Sequence, residues 1–182
     1  MRPFVFHLAG PPGSGKRTVG EHLARQTGAV LLDNHLFRDA VYRPYGAQPI
    51  SPEVQELGSQ VWALGLQAAR LAPRDVSQIF TAYYPNRDSG RTSAERIRAV
   101  AVDRDAIYVP VWLECDVDEL ARRMTLPERR ERAKMRDPIA LRENLAALGT
   151  LPPPPGAIVL DTARLAPADA ALLIAAHAGA LF

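Results

Sequence analysis

The sequence predicts an α/β domain in which a five-stranded parallel sheet is covered by helices on both faces. Five short apolar runs are predicted strands, and segments with helical spacing or helix-capping residues lie between them. The runs are apolar throughout, as expected of parallel strands whose two faces are both covered. A glycine-rich loop joins the first run to the first helical segment, which is a frequent connection in such sheets.

The first strand, residues 4–9, leads directly into a loop with the sequence Gly-Pro-Pro-Gly-Ser-Gly-Lys-Arg-Thr, and a helix is predicted over residues 18–26. A strand, a glycine loop, a lysine and a helix form the context of a phosphate-binding P-loop. The glycines turn backbone N–H groups inward, and the helix dipole adds positive potential. Lys16 would carry its charge to the β- and γ-phosphates and act in catalysis. The predicted nucleotide-binding residues of this loop are Gly10, Gly13, Ser14, Gly15, Lys16, Arg17 and Thr18.

The loop departs from the commonest P-loop pattern at the residue that follows the lysine. Arg17 stands where Ser or Thr usually contacts Mg²⁺, and Thr18 comes one position later. This order, G-x-x-G-x-G-K-x-T, resembles adenylate kinases more than motor or switch NTPases. The predicted cofactors are ATP and Mg²⁺, with Thr18 as the metal ligand or with the metal held mostly through water.

The next elements follow from glycine, proline and capping residues. Gly28 is predicted to end the first helix, and residues 29–32 form the second strand. A loop over residues 43–51 precedes a helix that Ser51 caps and Pro73 ends. Its apolar residues have the spacing of an amphipathic helix: Val54, Leu57, Val61, Leu64, Ala68 and Leu71.

The second half of the chain repeats the alternation of strands and helices. A polar loop over residues 83–91 follows the third strand, and Thr92 or Ser93 is predicted to cap the next helix, which ends near Arg104. Asp116 and Asp137 are predicted to cap two further helices. The predicted strands are 76–82, 107–113 and 157–160, and the last helix is 167–178.

Length, net charge and cysteine content limit the classes of protein to which the chain can belong. A length of 182 residues predicts one domain, 1–182, and a net charge of +2 favours neither nucleic-acid nor membrane partners. The single cysteine, Cys115, lies between two acidic residues that would not activate it, and it predicts a reducing compartment. With no signal peptide or membrane span predicted, we expect a cytoplasmic monomer or homodimer.

Ligands of a parallel sheet gather where the strands end, and this rule nominates the polar residues after the second strand. Asp33 follows Lys16 by seventeen positions and is the predicted catalytic base, or holds Mg²⁺ through water. Its alternative role is to cap the chain that follows. His35 either binds the acceptor or caps the next helix.

The loop after the third strand gives the other acceptor-binding candidates. Tyr83 and Tyr84 would line the acceptor pocket, or one of them packs in the core. Asn86, Arg87 and Arg91 would bind a polar or anionic acceptor, or belong to an ordinary surface loop. We predict Tyr84, Asn86 and Arg87, with His35, as substrate-binding residues.

A segment at about 126–138 is densely charged and is predicted to be a mobile lid. Phosphoryl transfer spreads negative charge over three oxygens in the transition state, so cationic side chains there stabilise it. Arg129 and Arg130 are the best candidates for this catalytic role, and a solvated charged helix is the alternative. The basic residues of the region are Arg122, Arg123, Arg129, Arg130, Arg132, Lys134 and Arg136.

Over nearly its whole length the chain resembles the small P-loop kinases, namely shikimate kinases, gluconate kinases, chloramphenicol phosphotransferases and, more distantly, adenylate kinases. Residues 111–123 are similar to the segment before the lid of shikimate kinases, and residues 161–167 to their adenine loop. The resemblance implies a three-layer P-loop NTPase fold with a kinase-type lid, in which Arg123 and Pro167 enclose the adenine.

The resemblance does not name the acceptor. Residues 51–72 look more like chloramphenicol phosphotransferases, in which an aspartate matching Asp33 is the proposed base. The glycine triplet of shikimate kinases is replaced by residues 83–86. We therefore predict an ATP-dependent phosphotransferase acting on a hydroxyl of a small molecule. The alternatives are a nucleoside or nucleotide kinase, and a regulatory module that binds ATP without transferring phosphate.

Overall fold

A computed structural model describes residues 2–46, 48, 50–126 and 136–179, and within them it shows one five-stranded sheet. All four strand pairings are parallel, so every strand ends at the same edge. The predicted α/β class with a five-stranded parallel sheet is confirmed. The strands are β1 (Phe4–Ala9), β2 (Val30–Asp33), β3 (Gln78–Ala82), β4 (Ile107–Glu114) and β5 (Ile158–Asp161), in the spatial order β2-β3-β1-β4-β5.

Helices connect the strands and cover both faces of the sheet. The helices are α1 (Lys16–Thr27), α2 (Asn34–Tyr42), α3 (Pro52–Leu71), α4 (Asp88–Asp103), α5 (Val117–Met124), α6 (Pro138–Leu148) and α7 (Pro167–Gly179). One face of the sheet is covered by α3 and α4, and the other by α1 and α7. Side chains alternate along β1, so that Val5, His7 and Ala9 face α3 and α4, whereas Phe6 and Leu8 face α1 and α7.

The predicted helix ends are largely confirmed. Gly28 closes α1 in the left-handed conformation, with φ 72°. The Ser51 side chain accepts a hydrogen bond from the Val54 amide, and Asp116 and Asp137 cap α5 and α6 in the same way. Short polar side chains thus set where these helices begin.

The observed helices differ from the expected ones in two places. Residues 34–42, which the sequence left unassigned, form α2, and Asp33 caps it by accepting from the His35 amide at 3.0 Å. Helix α4 begins at Asp88, before the predicted cap at Thr92 or Ser93. Gly90 explains the earlier start of α4. It is buried in the first turn of the helix, where a Cβ would overlap the carbonyl of Pro85. In the sequence, a glycine needed for close packing looks the same as a glycine of a loop.

The buried face of α3 also differs from the predicted apolar stripe. Leu57, Leu64 and Leu71 of that stripe are exposed by 49%, 62% and 87%. The face that contacts the protein instead includes Gly58 and Gly65, which leave room for aromatic rings of α2. Hydrophobic periodicity could not show that two glycines lie at the centre of the contact.

A buried arginine fixes the turn between α3 and β3. Arg104 is 2% exposed and donates to the carbonyls of Ala69, Ala72, Pro73 and Val76 at 2.7–2.9 Å. Its guanidinium therefore supplies donors to the end of α3, where backbone carbonyls lack helical partners.

Among the residues that the structure describes, no helix combines the length and the apolar character needed to cross a membrane.

Candidate active site

The P-loop lies between β1 and α1, at the centre of the sheet edge where the strands end. At Gly10, φ is 154° and a Cβ would overlap the carbonyl of Leu113 on neighbouring β4, so no side chain fits. At Gly15, φ is 80° and the space around the missing Cβ is open. The first glycine seats the loop against the sheet, and the last leaves a concave space in front of α1.

The amino end of α1 faces that space. Gly15 is the N-cap residue of α1 and provides no side-chain hydrogen bond to the helix. Lys16 begins the helix, and its ammonium donates to the carbonyls of Gly10 at 2.8 Å and Pro11 at 2.7 Å. The loop therefore combines the amino end of a helix with a primary ammonium, and both attract phosphate.

Asp33 lies close to the P-loop, as its position at the end of β2 predicted. It is 6% exposed, and one carboxylate oxygen, Oδ2, is 3.9 Å from Nε of Arg17. The other, Oδ1, caps α2. Asp33 therefore caps α2, as the alternative prediction has it. The cap uses only Oδ1, and Oδ2 lies on the side of Arg17.

Arg17 occupies the position at which a P-loop usually carries a metal-binding hydroxyl. Its Nε lies 2.6 Å from Glu21 on the next turn of α1 as well as 3.9 Å from Asp33. Thr18 is exposed in the first turn of α1. The Thr18 hydroxyl and the Asp33 carboxylate are hard oxygen donors, the type of ligand that fits a Mg²⁺ ion that keeps several waters. Among the described residues, no cluster of three His, Cys, Asp or Glu side chains could hold a metal.

The predicted acceptor residues lie around the ends of β2 and β3. His35 on α2 is within 3.1 Å of Asp39, one turn further on. Asn86 and Arg87 are exposed at the start of α4. Tyr83 donates its hydroxyl to the Gly149 carbonyl at 2.7 Å, which attaches this loop to the end of α6. The roles of His35, Asn86 and Arg87 remain predictions.

Tyr84 is the one of the two tyrosines that packs in the core, an alternative that the sequence analysis left open. It is 5% exposed, and its hydroxyl lies 2.8 Å from Nε2 of His7. Tyr108 occupies the other ring nitrogen at 2.7 Å. Burial raises the pKa of Tyr84 well above its usual value, so the hydroxyl stays protonated. Its placement corresponds to core packing and not to the wall of an acceptor pocket.

On the other side of the P-loop, Arg123 joins three elements. From α5 its guanidinium donates to the carbonyl of Thr162 at 2.6 Å, to the carbonyl of Gly13 at 3.3 Å and to Glu119 at 2.8 Å. Hydrogen bonds from Arg122 and Arg123 hold the pKa of Glu119 at about 2, so that carboxylate stays ionised at neutral pH. Pro167 is exposed at the first position of α7.

Thr162 and Glu119 were not predicted as site residues. Thr162 follows β5, is 6% exposed, and donates its hydroxyl to the Glu114 carbonyl at 3.0 Å. The structure shows that Thr162 connects Arg123 to β4. The sequence predicted Glu119 to lie in the helix that Asp116 caps, but it did not indicate the bond from Arg123 to Glu119.

A cleft of about 550 Å³ opens beside the P-loop, bounded by Pro11, the end of β4 and the chain before β5. Its walls include Trp112 and Leu151, and Glu114, Asp116 and Asp161 lie at its rim. Neither Lys16 nor Asp33 lines it. Cys115 also lines the cleft, and burial raises the pKa of its thiol, in agreement with the expectation that it is not an activated nucleophile.

Arg129 and Arg130, and most of the predicted lid at about 126–138, lie outside the described residues. Helix α5 ends at Met124 and α6 begins at Pro138, so the predicted lid connects these two helices. The catalytic role of its arginines stays a prediction.

Solved structures with the same fold include several kinases. A presumed kinase of Chloroflexus aurantiacus J-10-fl has a TM-score of 0.72 at 18% identity, covering 99% of this chain and 98% of its own. The APS kinase CysC of Mycobacterium tuberculosis, solved with AMPPNP and APS, has a TM-score of 0.63 at 17% identity and 96% coverage of both chains. A gluconokinase of Sinorhizobium meliloti 1021 has a TM-score of 0.59 at 18% identity, covering 99% of this chain and 95% of its own.

These likenesses confirm the fold that was predicted from the resemblance to small P-loop kinases. No curated protein matches the sequence. Residues 5–147 match the family described as the AAA domain, a range that holds the P-loop, Asp33 and Arg123. The chain therefore belongs to the AAA domain family and has the fold of the P-loop small-molecule kinases.

Proposed function

We propose that the protein is an ATP-dependent phosphotransferase that acts on a hydroxyl group of a small molecule. The observation that supports it most is the approach of Asp33 to the P-loop. A carboxylate at the end of β2 lies 3.9 Å from Arg17, next to the lysine expected to hold the transferred phosphate. A phosphate site and a base at one edge are the minimum that phosphoryl transfer to a hydroxyl requires.

The strand order supports separate sides for the donor and the acceptor. With β1 at the centre, Arg123 and Thr162 lie toward β4 and β5, whereas Asp33 and His35 lie toward β2 and β3. ATP would bind with its phosphates on the P-loop and its adenine toward Arg123 and Pro167. The acceptor would bind on the Asp33 side, and arginines of the lid, Arg129 and Arg130, would close over the transferred group.

Each group has a chemical task in this scheme. Lys16 and the amides at the start of α1 bind phosphate oxygens, and Asp33 accepts the proton of the acceptor hydroxyl. When bound, Mg²⁺ neutralises charge on the phosphates, and Thr18 and Asp33 are the residues that would hold it, directly or through water. The alternative enzyme is a nucleoside or nucleotide kinase, which would hold ATP at the same P-loop and take a different acceptor.

The replacement Asp33→Asn tests the proposal, because it keeps the helix cap and removes the base. A panel of sugars, sugar acids, nucleosides and hydroxyl-bearing antibiotics is screened by ADP release. We expect turnover with the best acceptor to fall about 10²- to 10⁴-fold, with ATP affinity nearly unchanged. Glu21→Gln is the matched control, because Glu21 also pairs with Arg17 but lies on α1, away from the strand ends.

Equal turnover by wild type and Asp33→Asn would exclude Asp33 as the base. The other candidate function is a regulatory module that binds ATP, and the pairing of Arg17 with Asp33 favours it, because that contact engages the carboxylate. Such a module would bind ATP in titrations and release no ADP with any acceptor of the panel.

A further inference from the structure

Arg38 on α2 is a partly buried arginine without a partner. Its Nε is buried, and no hydrogen bond or ion pair of its side chain occurs within the described residues. The other arginines of partial or full burial have partners: Arg17 with Glu21, Arg70 with Asp103 and Arg123 with Glu119. Nε of Arg104 is also buried without a partner, but the other two nitrogens of that guanidinium donate to four carbonyls. Arg38 is therefore unusual in this part of the molecule.

An arginine side chain that is exposed to solvent does not need a partner in the protein. The described arginines for which no side-chain bond is found, apart from Arg38, are all exposed: Arg25, Arg43, Arg74, Arg87, Arg96 and Arg136. Water satisfies their donors. Nε of Arg38 has no such access, and a guanidinium does not lose its proton in a protein. A buried cationic donor with nothing to bind is costly, so a ligand that supplies an acceptor gains by contact with it.

The location of Arg38 is the acceptor side of the sheet edge. It lies five residues beyond Asp33, in the helix that Asp33 caps. That helix starts directly after β2 and contacts β3, and the positive charge of Arg38 favours the ionised form of Tyr84, which follows β3. The Tyr84 hydroxyl is bonded to His7, and Nε of Arg38 makes no hydrogen bond to it.

The helix that carries Arg38 is held firmly. Phe37, its neighbour in sequence, packs against Trp62 with ring centroids 5.4 Å apart and fills the space left by Gly65. Tyr42, one turn beyond Arg38, fills the space left by Gly58. These two contacts on α3 fix the position of α2, so the absence of a partner for Arg38 does not come from a loose helix.

We propose that Arg38 binds an anionic group of the acceptor, a carboxylate or a phosphate, while the acceptor hydroxyl lies at Asp33. This inference rests on the proposed function and narrows its acceptor to hydroxy acids or phosphorylated alcohols. The planar guanidinium presents its donors as a fork, which matches two oxygens of such a group. The anion completes the hydrogen bonding of Nε, and a neutral acceptor of the same shape does not.

The test compares acceptors that differ in charge. The probes are D-gluconate with D-glucitol, D-glycerate with glycerol, and glycerol 3-phosphate with glycerol, each followed by ADP release and by the shift of melting temperature. The variants are Arg38→Met, which keeps the length of the stem, and Arg43→Met as the control. Arg43 lies at the end of the same helix and is exposed.

We expect wild type to prefer the anionic member of at least one pair. In Arg38→Met its KM should rise roughly 10- to 100-fold, as for a lost charge-assisted hydrogen bond. ATP affinity and the Arg43→Met variant should stay near wild type. In the absence of ligand, Arg38→Met should melt about 2–5 °C higher, because it removes a buried donor, Nε, that has no acceptor. A structural arginine would give the opposite shift.

The experiment distinguishes failure of the Arg38 proposal from failure of the kinase proposal. If neutral members are phosphorylated as well as anionic ones, by wild type and Arg38→Met alike, the inference about Arg38 is overturned and the kinase proposal stands. If no compound is phosphorylated but an anion raises the melting temperature of wild type and not of Arg38→Met, the anion site stands and the kinase proposal fails. If no anion is a substrate or a stabiliser of wild type, or if Arg38→Met melts lower and keeps its preference for anions, Arg38 has no such role.

Discussion

His7 is the buried residue with the clearest dependence on pH. It lies in β1 with 0% exposure, and its ring nitrogens are 2.7 Å and 2.8 Å from the hydroxyls of Tyr108 and Tyr84. Burial lowers its pKa from 6.5 to about 3, so the ring is neutral in the folded protein. One nitrogen donates and the other accepts, which two tyrosine hydroxyls can satisfy without any charge.

The free energy of unfolding should therefore fall as the pH drops below about 6.5. The unfolded chain binds a proton at His7 between pH 6.5 and about 3, whereas the folded chain does not. The loss is at most about 1.4 kcal/mol per pH unit and vanishes about one pH unit above 6.5. Urea unfolding at pH 7 and pH 5 measures it for wild type and for His7→Gln, which retains a donor and an acceptor.

The expected difference between the two proteins in their change from pH 7 to pH 5 is about 2 kcal/mol. His177→Gln, at an exposed position of α7, should behave as wild type. Parallel pH dependence in wild type and His7→Gln would contradict a neutral buried His7.

Single residues were predicted where one chemical rule identifies them. Lys16 and the loop glycines follow from a fixed motif, and Asp33 follows from the rule that polar residues at strand ends face ligands. Tyr84 could not be placed, because adjacent residues after a strand face opposite sides and the register was unknown. Arg38 lay in a stretch without a predicted element, so nothing in the sequence indicated its burial.

At the level of elements, α2 and α3 show what periodicity misses. The apolar positions of α3 were visible, but the contact with α2 is centred on two glycines into which Phe37 and Tyr42 insert. Helix α2 has nine residues and follows a buried strand directly. Such a short helix has little signal of its own and is stabilised by its tertiary contact.

Gly65→Ala tests this contact. A Cβ at residue 65 would lie 2.6 Å from the ring of Phe37, so the ring or the whole of α2 must move. We expect a loss of about 1–3 kcal/mol of stability, although alanine favours helix by about 1 kcal/mol. Because α2 carries Arg38 and His35, KM for the acceptor should rise while ATP affinity is kept.

Stability is measured by urea unfolding, with Gly179→Ala as the control. Gly179 is in α7, and a Cβ added there would meet no atom within 4 Å, so its replacement should be neutral or stabilising. If Gly65→Ala is as stable as wild type, the ring of Phe37 does not depend on the glycine.

At the level of the whole molecule, the strand order organises the candidate site. The alternation of strands and helices predicted a parallel sheet, and this was confirmed because continuous apolar strands have few other solutions. The order β2-β3-β1-β4-β5 could not be derived from it, since the same strands can be arranged in several ways. That order places Asp33 and Arg123 on opposite sides of the P-loop, and with them the proposed acceptor and adenine sides.

The central claim is that phosphate moves from ATP to a small acceptor, and ³¹P NMR of the reaction mixture tests it most directly. With Mg²⁺, ATP and the best acceptor of the screen, wild type should convert the γ-phosphate into a phosphate ester as ADP accumulates. Lys16→Ala should lose roughly 10- to 100-fold in ATP affinity, as for a charge-assisted contact to phosphate, and form little ester. If wild type binds ATP but the γ-phosphate stays on the nucleotide or appears only as inorganic phosphate with every acceptor, the protein is not the phosphotransferase proposed.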